Sequence, residues 1–285
     1  MPSREGSRAG SVRVLYQSEF PAALELTRTN PIMNTFVQSR IEAAIKESWR
    51  LSGALWGYFG GGDLESLLFV GANIVPVQTT EVARREFARE LIKSGRRSSS
   101  ILGPREQVMD LWQHISPVWG SPREIRERQP LMKLDAIAEG PRDHRVRLVA
   151  PNELATLLPA SIHMFEEEVG VSPVAHGGQA QYEQRVAEVI QQRCAYATIS
   201  EGEVEFKVEV GFVAGRIAQL QGVWIAPHLR GKGLAAPSLA KVVDLVQAEH
   251  APVVTLYAND FNVPAMRTYS RVGFQQVGTF ATVLF

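Results

Sequence analysis

The 285-residue chain balances 30 Lys+Arg against 30 Asp+Glu, with 45% hydrophobic and 21% charged residues. That composition is ordinary for a folded globular protein, and zero net charge argues against a surface built to coat nucleic acid. The length is comfortable for two domains, and no apolar run approaches the roughly 20 residues that span a bilayer, so neither nucleic acid nor membrane is an expected partner.

Residues 1–10 are small, charged and without periodicity and read as a mobile tail that carries no chemistry. An apolar strand-like run, Val12–Tyr16, precedes a segment with Phe36, Val37, Ile41, Ala44 and Ile45 at helical spacing. Ala54–Phe59, Ser66–Val70 and Asn73–Val77 then read as a short antiparallel meander, with a turn at Gly60-Gly61-Gly62-Asp63. A helix is expected at Glu81–Lys93, a strand at Ser98–Leu102 and a helix at Arg105–His114. The first domain, 11–135, is thus α+β. Gly-Pro and clustered charges between Leu134 and Arg145 punctuate the pattern, so 136–144 reads as a linker and 145–285 as a second domain.

The second domain opens with a strand at Val146–Val149 and a helix at Asn152–Phe165. A loop, Gly170 to Gly178, and a helix at Gln179–Gln192 follow. Strands are expected at Cys194–Ile199, Val204–Val213 and Ile217–Ile225. The second of these places Val204, Phe206, Val208 and Val210 on one face. Helix Leu234–Glu249, strand Val253–Tyr257, helix Val263–Val272 and one or two strands within Phe274–Phe285 complete it.

The chemistry concentrates after the third of those strands. Pro227 stops the strand by removing a ladder donor. In Arg230-Gly231-Lys232-Gly233-Leu234-Ala235 the glycines let the backbone approach a ligand closely, and an amphipathic helix opens directly behind. Backbone N–H groups and the positive helix end then point at one spot, which suits a diphosphate, with Arg230 and Lys232 adding charge. A solvated turn before a helix explains the same six residues taken alone. The run lacks the Gly-Lys-Ser/Thr of a nucleoside-triphosphate loop and the third glycine of a dinucleotide fingerprint.

Arg230, Gly233 and Ala235 match the Arg/Gln-x-x-Gly-x-Gly/Ala signature of the GNAT superfamily of N-acetyltransferases. Downstream, Asn262, Ala265, Tyr269, Gly273 and Phe274 match its Asn-x-x-Ala-x-x-x-Tyr-x-x-x-Gly-Phe segment. Residues 145–285 therefore resemble that family, whose fold agrees with the element order above. The resemblance implies acetyl-CoA as acyl donor and an amine acceptor, a small molecule or peptide, that attacks the thioester directly. It implies that Val223, Trp224 and Ile225 present backbone groups to the pantetheine arm where neighbouring strands splay, and that Arg230 to Ala235 hold the diphosphate. Tyr269 is then the acid that protonates the departing thiolate, unless it only packs against Phe274. Asn262 caps its helix, contacts the cofactor, or both.

The general base is open among Glu166, Glu167, Glu168 and Glu209, with Glu167 and Glu209 carried forward. A glutamate triplet at a helix end is usually a solvated face. Glu209 alternates with Val208 and Val210, so it points away from their apolar face. The lone cysteine, Cys194, reads as packing, and with no charged-then-apolar leader a cytoplasmic location is expected. No metal is expected, because the six histidines show neither i,i+4 pairing nor grouping with cysteine.

The first domain resembles a degenerate second copy of the same fold, making the chain a tandem. Its counterpart of the cradle, Gln78-Thr79-Thr80-Glu81, has neither glycine nor arginine and is not expected to bind a diphosphate. The competing reading of the whole chain is a non-catalytic CoA-sensing or interaction module. Resemblance to Fem-type aminoacyl transferases is opposed by the intact cradle. A homo-oligomer is compatible with everything above.

Overall fold

The structure, a computed structural model, describes residues 10–285; apart from Gly10, the segment expected as a tail lies outside the described residues. Two compact units emerge. The first comprises the chain up to Leu131 together with Val277–Phe285, and the second Met132–Gln276. The expected linker at 136–144 therefore falls inside the second unit, and the last nine residues leave that unit for the first.

The first half of the chain runs β1 (Ser11–Val14), α1 (Phe20–Arg28), α2 (Pro31–Lys46), β2 (Gly53–Gly60), β3 (Asp63–Gly71), β4 (Asn73–Val77), α3 (Glu81–Ser94), β5 (Ser100–Pro104), α4 (Arg105–Trp119) and β6 (Glu124–Leu134). The second half runs β7 (Arg147–Leu148), α5 (Leu154–Val169), α6 (Gln179–Gln191), β8 (Ala195–Ser200), β9 (Glu203–Ala214), β10 (Ile217–Ile225), α7 (Ala235–Glu249), β11 (Val253–Tyr257), α8 (Val263–Val272) and β12 (Gln275–Leu284). Among the described residues the two halves repeat one order of ten elements.

Two elements of the repeat were not expected from the sequence. α1 starts behind a Tyr16–Glu19 turn, where the Glu19 carboxylate accepts from the Tyr16 backbone N–H at 2.8 Å. Its buried stripe of Phe20, Ala23 and Leu24 is too short for a clear helical period. β6 carries Pro130 and five charged residues among its eleven, so its alternation is masked even though Leu131, Met132 and Leu134 are buried. α4 also outruns its expected end, continuing through Pro117 to Trp119.

Each unit is a sheet covered by helices on both faces. In the first unit β1 to β5 lie in sequence order, followed by β12 and then β6. β12 pairs antiparallel with β5 from Phe280↔Pro104 to Leu284↔Ser100. Thr282 Oγ1 on β12 donates to Gln129 Oε1 on β6 at 2.7 Å. One core packs Phe87, Leu91, Leu111 and Ile115 of α3 and α4 against the sheet, including Ala281 and Val283 of β12. The other packs Val37 and Ile41 of α2 on Leu55, Leu67 and Val75.

In the second unit the order is β11-β10-β9-β8-β7, with the end of β6 beside β11. The core under α7 and α8 joins Phe206, Val208, Val210 and Leu220 to Leu239, Val243 and Val246, and it includes Met132 and Leu134 of β6. The opposite core holds Leu157, Ala160 and Met164 of α5 and Tyr182, Val186 and Ile190 of α6, packed on Ala195, Ala197 and Trp224. The second half thus supplies β12, and the first half the end of β6, to the core of the other unit. No helix among the described residues is long and apolar enough to cross a membrane.

Candidate functional site: a cradle at the parting of two strands

β10 and β11 are parallel but pair only from Ile217↔Val253 to Gln219↔Thr255. Beyond that point β10 runs on to Ile225 and β11 to Tyr257, so the strands part. On its other side β10 is bulged against β9: Gln221 faces Glu209 and Trp224 faces Lys207, leaving Gly222 and Val223 opposite Val208 alone. Gly222 adopts φ +61°, a conformation glycine reaches without steric cost. The bulge turns the backbone of Gly222 and Val223 out of the regular ladder at the mouth of the cleft. Val223 and Ile225 are half-buried and Trp224 is buried.

The 226–234 connection follows, with a 3₁₀ turn at Pro227–Leu229. Gly231 and Gly233 have φ +76° and +79°, and a Cβ built on either meets nothing within 4 Å. They are therefore required by backbone conformation and leave open space above the chain. The N-cap of α7, Leu234, supplies no side-chain cap, so the first amide groups of the helix face outward for a ligand. Lys232 is exposed, whereas Leu234 and Ala235 are half-buried at the helix entry. The donor set, an uncapped helix N-terminus beside two left-handed glycines and an arginine, fits a diphosphate.

Arg230 is already engaged. Its Nη2 donates to both carboxylate oxygens of Glu167 at 2.9 and 2.7 Å, and its Nε donates to Ile225 O at 3.1 Å. Glu167, weighed in the sequence as a base, is thus the partner of the cradle's arginine.

Glu209 is placed deeper than its strand alternation suggested. It is 1% exposed, and Lys207, wholly buried on the same face of β9, donates to its Oε1 at 2.7 Å. Arg185 of α6 and Gln221 of β10 donate to Oε2 at 3.3 and 3.4 Å. Burial works against its charge, but Lys207 and Arg185 outweigh that and hold the carboxyl below the usual range. An ion-paired carboxylate with a lowered pKa is a poor proton acceptor. The Lys207 ammonium, 3.6 Å from where a Cβ on Gly222 would stand, ties this network to the bulge.

Tyr269 is buried in the core under α7 and α8, its ring 6.2 Å from that of Phe274. Burial, with the charge of Glu168, raises its pKa, so the phenol keeps its proton. Asn262 is the exposed N-cap of α8 and accepts from the Ala265 N–H at 3.2 Å. Capping is therefore a role it performs. Cys194 is half-buried, and burial raises its pKa, which leaves an inert thiol. Among the described residues no group of three or more His, Cys, Asp or Glu is arranged to hold a metal.

Lys207, Arg185, Met164 and the Gly222 bulge were not singled out in the sequence. The signal was present for the first: the alternation that puts Val208 and Val210 inward leaves Lys207 and Glu209 together on the other face, which two helices cover.

The first unit has the same parting, since β4 and β5 pair only at Asn73↔Ser100 and Ile74↔Ile101. Its strand-to-helix connection is just Gln78, Thr79 and Thr80, and Thr80 caps α3 by accepting from the Ala83 N–H at 3.1 Å. Thr79 N and Oγ1 both donate to Gln107 Oε1 on α4, at 2.9 and 2.8 Å. The amides that would form a cradle are consumed within the protein, consistent with a degenerate copy.

Two family models match the chain. Residues 176–274 match the acetyltransferase (GNAT) family, and residues 53–157 match a domain of unknown function, DUF4081. The GNAT match lies within the second half of the chain. Among solved structures, a GNAT-family acetyltransferase from Colwellia psychrerythraea superposes with TM-score 0.59 at 10% identity, over 96% of this chain and 99% of that one. A tandem GNAT protein from the clavulanic acid biosynthesis pathway superposes with TM-score 0.56 at 13% identity, over 96% and 98%. A GCN5-related N-acetyltransferase from Sphaerobacter thermophilus does so with TM-score 0.58 at 13% identity, over 97% and 96%. At these identities the likeness is one of fold, and it extends over both halves. No curated protein matches the sequence.

Proposed function

We propose that the protein is an acetyl-CoA-dependent N-acetyltransferase with one donor site per chain, in the second unit. The observation that carries this reading is the coincidence of an open, uncapped helix N-terminus at 230–235 with a bulged strand beside the β10/β11 parting. When bound, acetyl-CoA supplies an activated acetyl group as its thioester.

The chain's own residues do the rest. The amides from Gly231 to Ala235 hold the diphosphate with Arg230 and Lys232, and Arg230 leaves Glu167 to do so. Val223 to Ile225 align the pantetheine arm as an added strand edge, and the bulge amides polarise the thioester carbonyl. Tyr269, kept protonated by burial, delivers a proton to the leaving sulfur as the acceptor amine attacks directly. Asn262 fixes the start of α8 and with it the position of Tyr269. The first unit, without a cradle, serves as a partner surface. The acceptor is a primary amine on a small molecule or peptide, and the expected setting is cytoplasmic.

The competing reading, a CoA-binding module without turnover, is disfavoured by the retention of Tyr269. The test is calorimetric titration with acetyl-CoA followed by thiol release across amines, polyamines and peptides. Binding with turnover on at least one amine is expected. Binding with no turnover on any would select the sensing module.

A further inference from the structure

In the acetyl-transfer reading, on which this inference rests, the bulge amides hold the thioester carbonyl, so the acyl chain beyond it runs beside Gly222. The space on the Cβ side of that glycine is already filled. A Cβ built there would stand 2.9 Å from the Met164 methyl, 3.5 Å from its sulfur and 3.6 Å from Lys207 Nζ. At Gly231 and Gly233 of the cradle, by contrast, a Cβ meets nothing within 4 Å. The donor site is thus open where the diphosphate lies and walled where the acyl group ends. Met164 is 8% exposed and belongs to the core that joins Leu157 and Ala160 of α5 to Trp224 of β10. Contacts to α6 fasten the helix on both sides of it. Three residues earlier, Ser161 O accepts from the Tyr182 hydroxyl at 2.8 Å, and one residue later the Phe165 ring packs edge-on against Tyr182 at 5.7 Å. Neither contact involves Arg230, so both persist when a diphosphate takes that arginine. Lys207 holds its place as well, wholly buried and bound to Glu209 Oε1 at 2.7 Å.

We propose that Met164 sets the length of the acyl group: its thioether tip closes the acyl end of the cleft, so that a two-carbon donor fits and a four-carbon donor does not. The methyl of an acetyl group meets the methionine methyl as one apolar group meets another. Each further methylene must push that tip back into a core whose other members are packed. Methionine is unbranched and adaptable, so it yields to one added carbon more readily than to two. Discrimination therefore grows with chain length, and one methylene in an apolar pocket is worth about 10–200-fold. Met164→Ala removes Cγ, Sδ and Cε and opens a space for the extra carbons. The same substitution leaves Gly222, the cradle and the Tyr182 contact to the Ser161 carbonyl in place.

The test is calorimetric titration of the full-length protein with CoA, acetyl-CoA and butanoyl-CoA, which needs no acceptor. The wild type should bind acetyl-CoA at least about tenfold more tightly than butanoyl-CoA. Met164→Ala should bind butanoyl-CoA at least as tightly as acetyl-CoA, with its affinity for CoA unchanged. Met164→Val, which shortens the side chain less, should fall between the two and carries the test if the alanine variant does not fold. CoA shares the diphosphate and pantetheine contacts but has no acyl group, so damage to the cradle or to α5 would weaken all three ligands together. Equal binding of acetyl-CoA and butanoyl-CoA by the wild type would overturn the assignment, as would substitutions that leave their order unchanged or weaken all three ligands alike. A wild-type protein that binds neither CoA nor acetyl-CoA would instead overturn the acetyl-transfer reading beneath it.

Discussion

Arg230 Nη2 lies 2.7 Å from Glu167 Oε2, so the arginine of the cradle is held by a carboxylate from the last turn of α5. Both side chains are nearly half exposed, which limits such a pair to about 0–1 kcal/mol. It is a contact that a diphosphate displaces easily. Glu167→Gln should therefore tighten acetyl-CoA binding, by up to about fivefold at low salt. Arg230→Ala should weaken it by about tenfold or more, the loss of a charge-assisted contact. Titration calorimetry at two ionic strengths checks both. Weaker binding in Glu167→Gln would mean that the glutamate supports the cradle rather than competing for its arginine.

Lys207 and Glu209 form the buried ion pair under α5 and α6. Lys207→Met leaves a buried carboxylate with only Arg185 and Gln221 to hold it and should cost about 3 kcal/mol in urea unfolding, most of which Lys207→Met with Glu209→Leu should restore. The folded-state pKa of Glu209 is lowered, so its contribution is present above the usual carboxylate range near pH 4 and is lost as pH falls through the folded value. Glu209→Gln should flatten the acid limb of the stability curve. An equal acid loss in both proteins would place the pH sensitivity elsewhere.

Tyr269→Phe keeps the ring that packs beside Phe274 and removes only the hydroxyl. Turnover should fall by about 100-fold with acetyl-CoA affinity nearly unchanged. Because burial raises the phenol's pKa, no loss of kcat from its ionisation is expected up to about pH 10. An unchanged rate would return Tyr269 to a packing role.

A chain truncated to begin at Asp143 retains every cradle residue, yet it should not fold cooperatively. It lacks Met132, Leu134 and Ala138 of the second unit's core. It also carries β12 without the β5 partner that strand pairs with in the intact chain. A broad, low-amplitude melt by circular dichroism is the expected result; a sharp transition like that of the full chain would show that the exchanged strands are dispensable.

Most of the second unit was legible because its elements carry one periodicity each. β10, β11 and α8 begin and end where apolar spacing, proline and asparagine put them. The cradle and the Tyr269 helix were legible as motifs. Three features were not. The exchange of β6 and β12 between units is a pairing between residues more than a hundred positions apart, and strand periodicity carries no information about partners. The bulge at Gly222 depends on the register of β9 against β10. The fate of the glutamates depends on which cations the tertiary fold brings near: alternation put Glu209 off the apolar face, but only α5 and α6 covering that face made it buried. In the first half, the short α1 and the charged β6 left the repeat two elements incomplete in the sequence.

One donor site per chain, built on the 230–235 cradle, is tested most directly by the stoichiometry of acetyl-CoA binding to the full-length protein and to Gly233→Val. Gly233 has φ +79° and open space above it, so a valine strains the backbone and fills the room a diphosphate needs. Calorimetry should give one equivalent bound per wild-type chain and none to Gly233→Val, with the far-ultraviolet spectrum unchanged. Two equivalents per chain, or undiminished binding to the folded variant, would contradict the account.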